Sequence, residues 1–343
     1  MGPWETPPGK FWAVADQNPL QVMPSMADDL ARVETQLMES VRSGDDFLTE
    51  ISSHLIAAGG KRVRPGFCLA SAATALAVDA PASAEAVTGG VAVELVHLGS
   101  LYHDDVMDEA VMRRTVDSVN ARWGNLKAIL AGDFLLAKAS EIAASLGTEV
   151  AGLLAATIGR LCEGEVLELQ DAYQITRTET AYLTSIEGKT ASLLSSACRI
   201  GAIVGGLPRP DIDRLTEFGT AYGMAFQIVD DILDVTATDE ELGKPAGHDL
   251  VEGAYNLPVL RALQGPSGDE LRTLLGTPIG GEVWERARAL VREGDAISQS
   301  VTVAQGYVDH AVELLEPLDD LPGAVALRGA AQHLLSSLAP VRA

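Results

Sequence analysis

The sequence predicts an all-α protein. Apolar residues recur three and four positions apart along most of the chain, almost no stretch alternates with a period of two, and the valine-rich runs fall inside helical patterns. At 343 residues and 47% hydrophobic content the chain has ample material for a core, and no linker divides it. Residues 1–25 are proline-rich, carry Trp4 and Trp12 without periodicity, and read as an irregular N-terminal arm. Residues 26–343 read as one domain.

From Asp28 to Ala58 the apolar positions Leu30, Val33, Leu37, Val41, Phe47, Ile51 and Leu55 mark amphipathic helices, which Gly59 and Gly60 stop. GGKRVRP at 59–65 is then a basic cluster at a helix-to-helix turn of an acidic protein. GGVAVELVHLGSLY is apolar nearly all round, so a buried helix of about 89–110 is expected, with His97 two turns before Asp104. It runs into HDDVMDEA at 103–110. Arg113 and Arg114 follow, and Asn120–Gly124 turns into another apolar helix containing Asp133.

Helical patterns continue through 149–171, with Glu163, Glu165, Glu168 and Asp171 on a polar side that is either exposed or behind a site. Lys189 follows Gly188 inside an apolar segment, where burial costs unless an anion pairs with it. Gly219 and Gly223, one turn apart, should let the next helix pack closely on a neighbour, and Gln227 lies a turn before Asp231. After IVDDILDVT at 228–236 comes TDEELGKPAGHDLVEG, a polar, glycine-rich loop with Lys244 and Asp249. The last eighty or so residues read as amphipathic helices without chemistry of their own.

The two acidic stretches carry the chemistry. In each, three aspartates fall at i, i+1 and i+4: Asp104, Asp105 and Asp108, then Asp230, Asp231 and Asp234. On a helix, i and i+4 lie one above the other, with i+1 turned about 100° round the axis. Each triplet follows an apolar helix, and crowded carboxylates cannot all ionise in a dry site without cations. Hard oxygen ligands favour Mg²⁺, which typically bridges carboxylates to substrate phosphates. Two such edges facing each other would make a diphosphate-binding mouth.

A balance of 25 basic to 48 acidic residues, net charge −23, argues against a nucleic-acid partner. Cys68, Cys162 and Cys198 lie far apart in apolar helical contexts, without metal-ligand spacing, and are expected to be reduced core residues of a cytoplasmic protein. No signal peptide is read at the N-terminus, and no stretch reaches the roughly 18 apolar residues of a membrane span. Membrane contact would be peripheral and serve product release.

Together the aspartate pair, GGKRVRP, RRTVDSVNARWGN at 113–125, GKT at 188–190 and GKPAGHDL at 243–250 resemble the trans-isoprenyl diphosphate (polyprenyl) synthases, from about residue 30 to the C-terminus. The resemblance implies a single bundle of ten or more helices around a deep central cavity, a homodimer, and Mg²⁺-dependent head-to-tail condensation of isopentenyl diphosphate with an allylic diphosphate. It gives the six aspartates to metal, three Mg²⁺ per site, with Asp104, Asp105, Asp108, Lys189, Asp230 and Lys244 as catalytic residues. Lys61, Arg64, His97 and Arg114 would hold isopentenyl diphosphate. Arg113, Lys189, Thr190 and Lys244 would hold the allylic diphosphate, and Gln227 is a contact for a diphosphate or a metal-bound water. Where many members have a second lysine, this chain reads Glu252, Gly253, Ala254.

Product length is expected to depend on the residues below Asp104. Gly99 and Ser100 stand where short-product relatives carry a large aromatic, and Val96 in the next turn is also modest in size, with Tyr102 the one bulky residue nearby. A product of at least twenty carbons is expected, long-chain before geranylgeranyl diphosphate. A terpene cyclase would have no use for GGKRVRP. A non-catalytic regulatory subunit commonly loses an aspartate triplet, and this chain keeps both.

Overall fold

The computed structural model describes residues 19–238 and 247–338. A short 3₁₀ turn at Pro19–Val22 leads into helix α1 (Met26–Ser40) and α2 (Asp46–Ala57), the latter N-capped by Asp45, whose carboxylate accepts from the Leu48 amide at 2.8 Å. Gly59, at φ 82°, and Arg62, at φ 47°, turn the chain into α3 (Val63–Ala73). Helix α4 (Ala84–Met107) begins on a Ser83 cap, runs buried through the centre, and ends with Asp108 as its C-cap.

Beyond it the chain makes a two-residue hairpin, β1 (Met112–Arg113) against β2 (Val116–Asp117). Arg114 and Thr115 form its turn with φ of 52° and 68°. That is the primed geometry a tight hairpin needs, taken here without glycine or asparagine, at a cost of order 1–3 kcal/mol per residue.

Helices α5 (Val119–Trp123), α6 (Asn125–Ser145), α7 (Thr148–Gln170) and α8 (Glu179–Ile186) follow. A single π turn at Glu187–Ala191 joins α8 to α9 (Ser192–Val204), and α10 (Arg209–Thr236) carries the second triplet at its C-terminal end. The remaining helices are α11 (His248–Glu252), α12 (Leu257–Gln264), α13 (Gly268–Leu274), α14 (Gly281–Arg292), α15 (Ala296–Leu314) and α16 (Pro322–Ser336).

Helix α4 packs on α3, α6 and α9, and α10 lies between α9 and α15. One apolar cluster fills the bundle around α1–α7, α9, the first part of α10, the end of α15 and α16; a second joins α8 and the later part of α10 to α11–α14 and the start of α15. Glycines set the closest approaches. A Cβ on Gly219 would stand 2.7 Å from Ser195 Cα, and one on Gly223 2.5 Å from Ala191 Cα, so α10 lies against α9 and the π turn at backbone distance. Gly164 meets the π turn likewise, its ideal Cβ 2.4 Å from the Lys189 amide nitrogen.

Cys68 and Cys198 are buried and unpaired as expected, whereas Cys162 is exposed on α7. No described helix is long and apolar enough to cross a membrane.

Candidate active site

The two triplets stand at corresponding places, each at the C-terminal end of a buried helix. On α4, Asp105 is fully buried and Asp104 half-buried, while Asp108 is exposed at the cap. On α10, Asp231 and Asp234 are buried and Asp230 is half-buried. Burial, reinforced by Glu165, pushes the Asp104 carboxyl up to about 7, and burial also raises Asp105 and Asp108. Burial likewise takes Asp231 up to about 7 against the hydrogen bonds it accepts.

Each triplet is held by neighbours that its own spacing does not disclose. Arg113 grips Asp105 Oδ1 through Nε at 2.7 Å and Nη2 at 2.6 Å, and Asn120 donates to the Asp105 carbonyl at 2.9 Å. On α10, the Tyr182 hydroxyl donates to Asp231 Oδ2 at 2.5 Å. Gln227 donates to Asp231 Oδ1 at 2.8 Å and accepts from Thr190 at 2.7 Å. Thr190 thus reaches the second triplet from the π turn through Gln227 of α10, in one hydrogen-bonded line.

Lys189 faces the first triplet, its charge acting on Asp104 and Asp108. Its ammonium pairs with Glu165 at 2.8 Å and Glu168 at 3.1 Å, both on α7. Burial opposes its charge, but Glu168 and Glu165 outweigh that and raise its pKa. The anion that the lysine's burial called for is therefore supplied by two glutamates from the polar side of α7, half-buried rather than exposed. Of the other two acids there, Glu163 is exposed and Asp171 pairs with Arg177 at 3.3 Å.

A cationic cradle lies further back along α4 around His97, two turns before Asp104 and about 20° round the helix from it. The guanidinium of Arg114 donates to the carbonyls of Leu55 at 3.2 Å and Gly59 at 2.5 Å and stands 3.8 Å from buried Glu94. Arg64 has a buried Nε with no hydrogen-bond partner, and burial lowers its pKa. His97 is held well below its ordinary pKa by burial and then by Arg64, Arg114, Arg113 and Arg62, so its ring is neutral. Lys61 stands at the exposed lip, its pKa lowered to about 8 by partial burial of its ammonium. Arg62, between Lys61 and Arg64 in sequence, turns into the protein, onto Glu34 and Glu94.

The chain-length positions fall on different faces of α4. Ser100, four residues before Asp104, shares its face, and Val96 lies about 80° round from it. Gly99 is five residues back, about 140° round. An ideal Cβ there would stand 3.0 Å from Leu136 and 3.2 Å from the Gly132 carbonyl, so Gly99 serves the crossing of α4 with α6. Tyr102 also points away: its hydroxyl donates to the Ile51 carbonyl at 2.8 Å and accepts from the Leu55 amide at 3.4 Å. His103 packs on α6 beside Asp133, at 3.4 Å.

Lys244 lies outside the described residues. Its flanks are fixed from the C-terminal region, expected to be inert. Trp284 on α14 donates to the Gly247 carbonyl at 2.9 Å, and Arg288 donates to the Val235 carbonyl at 2.8 Å and to that of Ala237. Asp249 donates its amide to Asp234 Oδ2 at 3.4 Å and accepts from Asn256 at 3.0 Å.

Among the described residues, no three His, Cys, Asp or Glu side chains are already gathered as an ion's ligand set. The donor chemistry nevertheless fits a hard divalent cation. Asp105 Oδ2 is buried with no hydrogen-bond partner, and carboxyls with raised pKa values crowd both helix ends.

An all-α architecture, twin aspartate-bearing helix ends and a basic cradle thus stand together in one bundle. The family model for polyprenyl synthetase matches residues 45–285. The heptaprenyl diphosphate synthase component 2 of Geobacillus stearothermophilus is 41% identical over 298 residues, 85% of this chain and 91% of that protein. The nonaprenyl diphosphate synthase of Mycobacterium tuberculosis is 39% identical over 310 residues, 90% and 92% of the two chains. Among solved structures, a polyprenyl synthase from Caulobacter crescentus complexed with calcium and isoprenyl diphosphate superposes with a TM-score of 0.85 at 31% identity, covering 94% of this chain and 99% of that one. A decaprenyl diphosphate synthase from Rhodobacter capsulatus gives 0.84 at 33% identity, covering 92% and 98%. The chain belongs to the polyprenyl synthetase family, and it is a prenyltransferase.

Proposed function

We propose that this enzyme condenses isopentenyl diphosphate head-to-tail with an allylic diphosphate to make a long-chain trans-polyprenyl diphosphate. The observation that carries this reading is the placement of two distinct anion-handling regions on one helix: the Asp104 edge facing Lys189, and the cradle around His97. The heptaprenyl, nonaprenyl and decaprenyl names of the relatives support a long product, as do the small Ser100 below Asp104 and the turn of buried Tyr102 toward α2.

In this reading Asp104, Asp105 and Asp108 with Asp230, Asp231 and Asp234 hold Mg²⁺, three ions by family resemblance. Bound there, the metal supplies Lewis-acid neutralisation of the allylic leaving group. Lys189, Arg113 and Thr190, with Lys244 from the loop after α10, hold the allylic diphosphate, and Gln227 orients Thr190 and Asp231. As the allylic C–O bond breaks, the leaving group takes the electron pair and an allylic cation remains. Lys61, Arg64, Arg114 and neutral His97 hold isopentenyl diphosphate so that carbon 4 forms the new bond. The proton lost next goes to the departing diphosphate. Fixed cations aimed at the developing charge make this electrostatic catalysis, with little acid–base work by the protein.

Outward-facing Leu126 and Leu130 on α6, with Val166 and Leu169 on α7, suit a homodimer interface. The test is to incubate the purified chain alone with Mg²⁺, radiolabelled isopentenyl diphosphate and an allylic primer. Incorporation by a species of twice the chain mass on size-exclusion chromatography is expected. No incorporation without a second kind of subunit would make the enzyme heteromeric, in line with the component 2 name of two relatives, and the non-catalytic regulatory reading would then require that activity survive loss of both aspartate triplets in this chain.

A further inference from the structure

Arg62 is the one basic residue of GGKRVRP that the proposed reaction leaves without a task. It is 4% exposed, and its backbone is left-handed at φ 47° and ψ 44°, a conformation uncommon outside glycine. That twist sends its side chain inward while its neighbours Lys61 and Arg64 remain with the cradle. Every arm of its guanidinium is used. It forks onto Glu34 of α1, with Nη2 at 3.0 Å, reaches Glu94 of α4 at 2.8 Å, and donates to the Ile56 carbonyl in the last turn of α2 at 3.1 Å. Glu94, 2% exposed, is shared with Arg114 at 3.8 Å, and Arg114 in turn closes on the carbonyls of Leu55 and Gly59.

We infer that Arg62, acting with Glu34 and Glu94, is a positioning residue for isopentenyl diphosphate. It ties α1, α2 and α4 together behind the 59–65 turn and so fixes where Lys61, Arg64 and Arg114 present their charge. The inference rests on the reading of that cradle as the isopentenyl diphosphate site. A planar fork is needed, because three acceptors on three helices are met in fixed directions; a lysine keeps the charge but meets them singly. A displacement of the cradle of about 1 Å is enough to matter at a site that works by positioning.

The test is steady-state kinetics of the full chain with both substrates varied, on R62K, E34Q and, as a reference, R64Q. R62K is expected to raise KM for isopentenyl diphosphate about tenfold, with kcat and the KM for the allylic diphosphate within about twofold. E34Q, whose side chain is 38% exposed and which leaves the Arg62–Glu94 pair intact, should move the same constant about threefold and keeps the test available should R62K fail to fold. A merely structural brace would lower Tm and spread its kinetic effect over both substrates. That result, or an unchanged KM for isopentenyl diphosphate in both variants, overturns the inference. R64Q separates the two levels: if it leaves that KM untouched, the cradle itself has been misread.

Discussion

The raised carboxyls make the metal-free protein less stable as pH rises, and metal should reverse this. Asp104 and Asp231 go from an ordinary 3.8 to about 7 on folding. Between those values the folded state binds more protons than the unfolded one, so the free energy of unfolding falls as pH climbs from about 4 to about 7. One such group over roughly three units corresponds to about 4 kcal/mol. At this chain size that is a fall in Tm of several degrees, taking about 2 °C per kcal/mol. The assay is thermal unfolding in EDTA at half-unit steps from pH 5 to 8, repeated with millimolar Mg²⁺. The fall in Tm should be steep in EDTA and shallow with metal, because a cation bound to the ionised carboxylates stabilises the folded state at high pH. General repulsion in a chain of net charge −23 also grows with pH, so the control is D104N combined with D231N, which should flatten the EDTA slope. A double variant with the wild-type slope would refute the argument.

Four further outcomes are expected. S100F should shorten the product while retaining activity, because Ser100 sits about 6 Å down the helix from Asp104, little more than one extended isoprene unit. G99F should instead lower Tm by overpacking against Leu136, worth about 1–3 kcal/mol, with product length unchanged; chromatography of labelled products with a melting curve separates the two. K189M should cut kcat/KM for the allylic substrate by about 100-fold or more, since it removes a fixed cation and leaves Glu165 and Glu168 facing the diphosphate. Y182F strips Asp231 Oδ2 of its buried donor and should cost about 1–3 kcal/mol of stability at pH 8, read as a loss in Tm in EDTA.

The helices, their order and the end-of-helix position of both triplets were legible because each rests on local periodicity and on charge interrupting it. The side-chain partners were not, since they join residues far apart in the chain: Arg62 to Glu34 and Glu94, Lys189 to Glu165, Tyr182 to Asp231. Glu94 did leave a signal, a single acid within the apolar run GGVAVELVHLGSLY, where an unpaired charge would be costly. Counting back turns from Asp104 put Gly99 and Ser100 together, although adjacent residues on a helix point about 100° apart. The hairpin at 112–117 escaped notice because its turn is Arg114–Thr115, with none of the usual turn residues. The inward twist of Arg62 was likewise invisible beside two basic neighbours of the same apparent character.

Product chain length tests the central claim most directly. The purified wild-type chain would be given Mg²⁺, radiolabelled isopentenyl diphosphate, and geranyl, farnesyl or geranylgeranyl diphosphate in turn, and the dephosphorylated products resolved by chromatography. Elongation past twenty carbons is predicted, whichever primer is accepted. Arrest at twenty carbons or below with every primer would contradict a long-chain synthase.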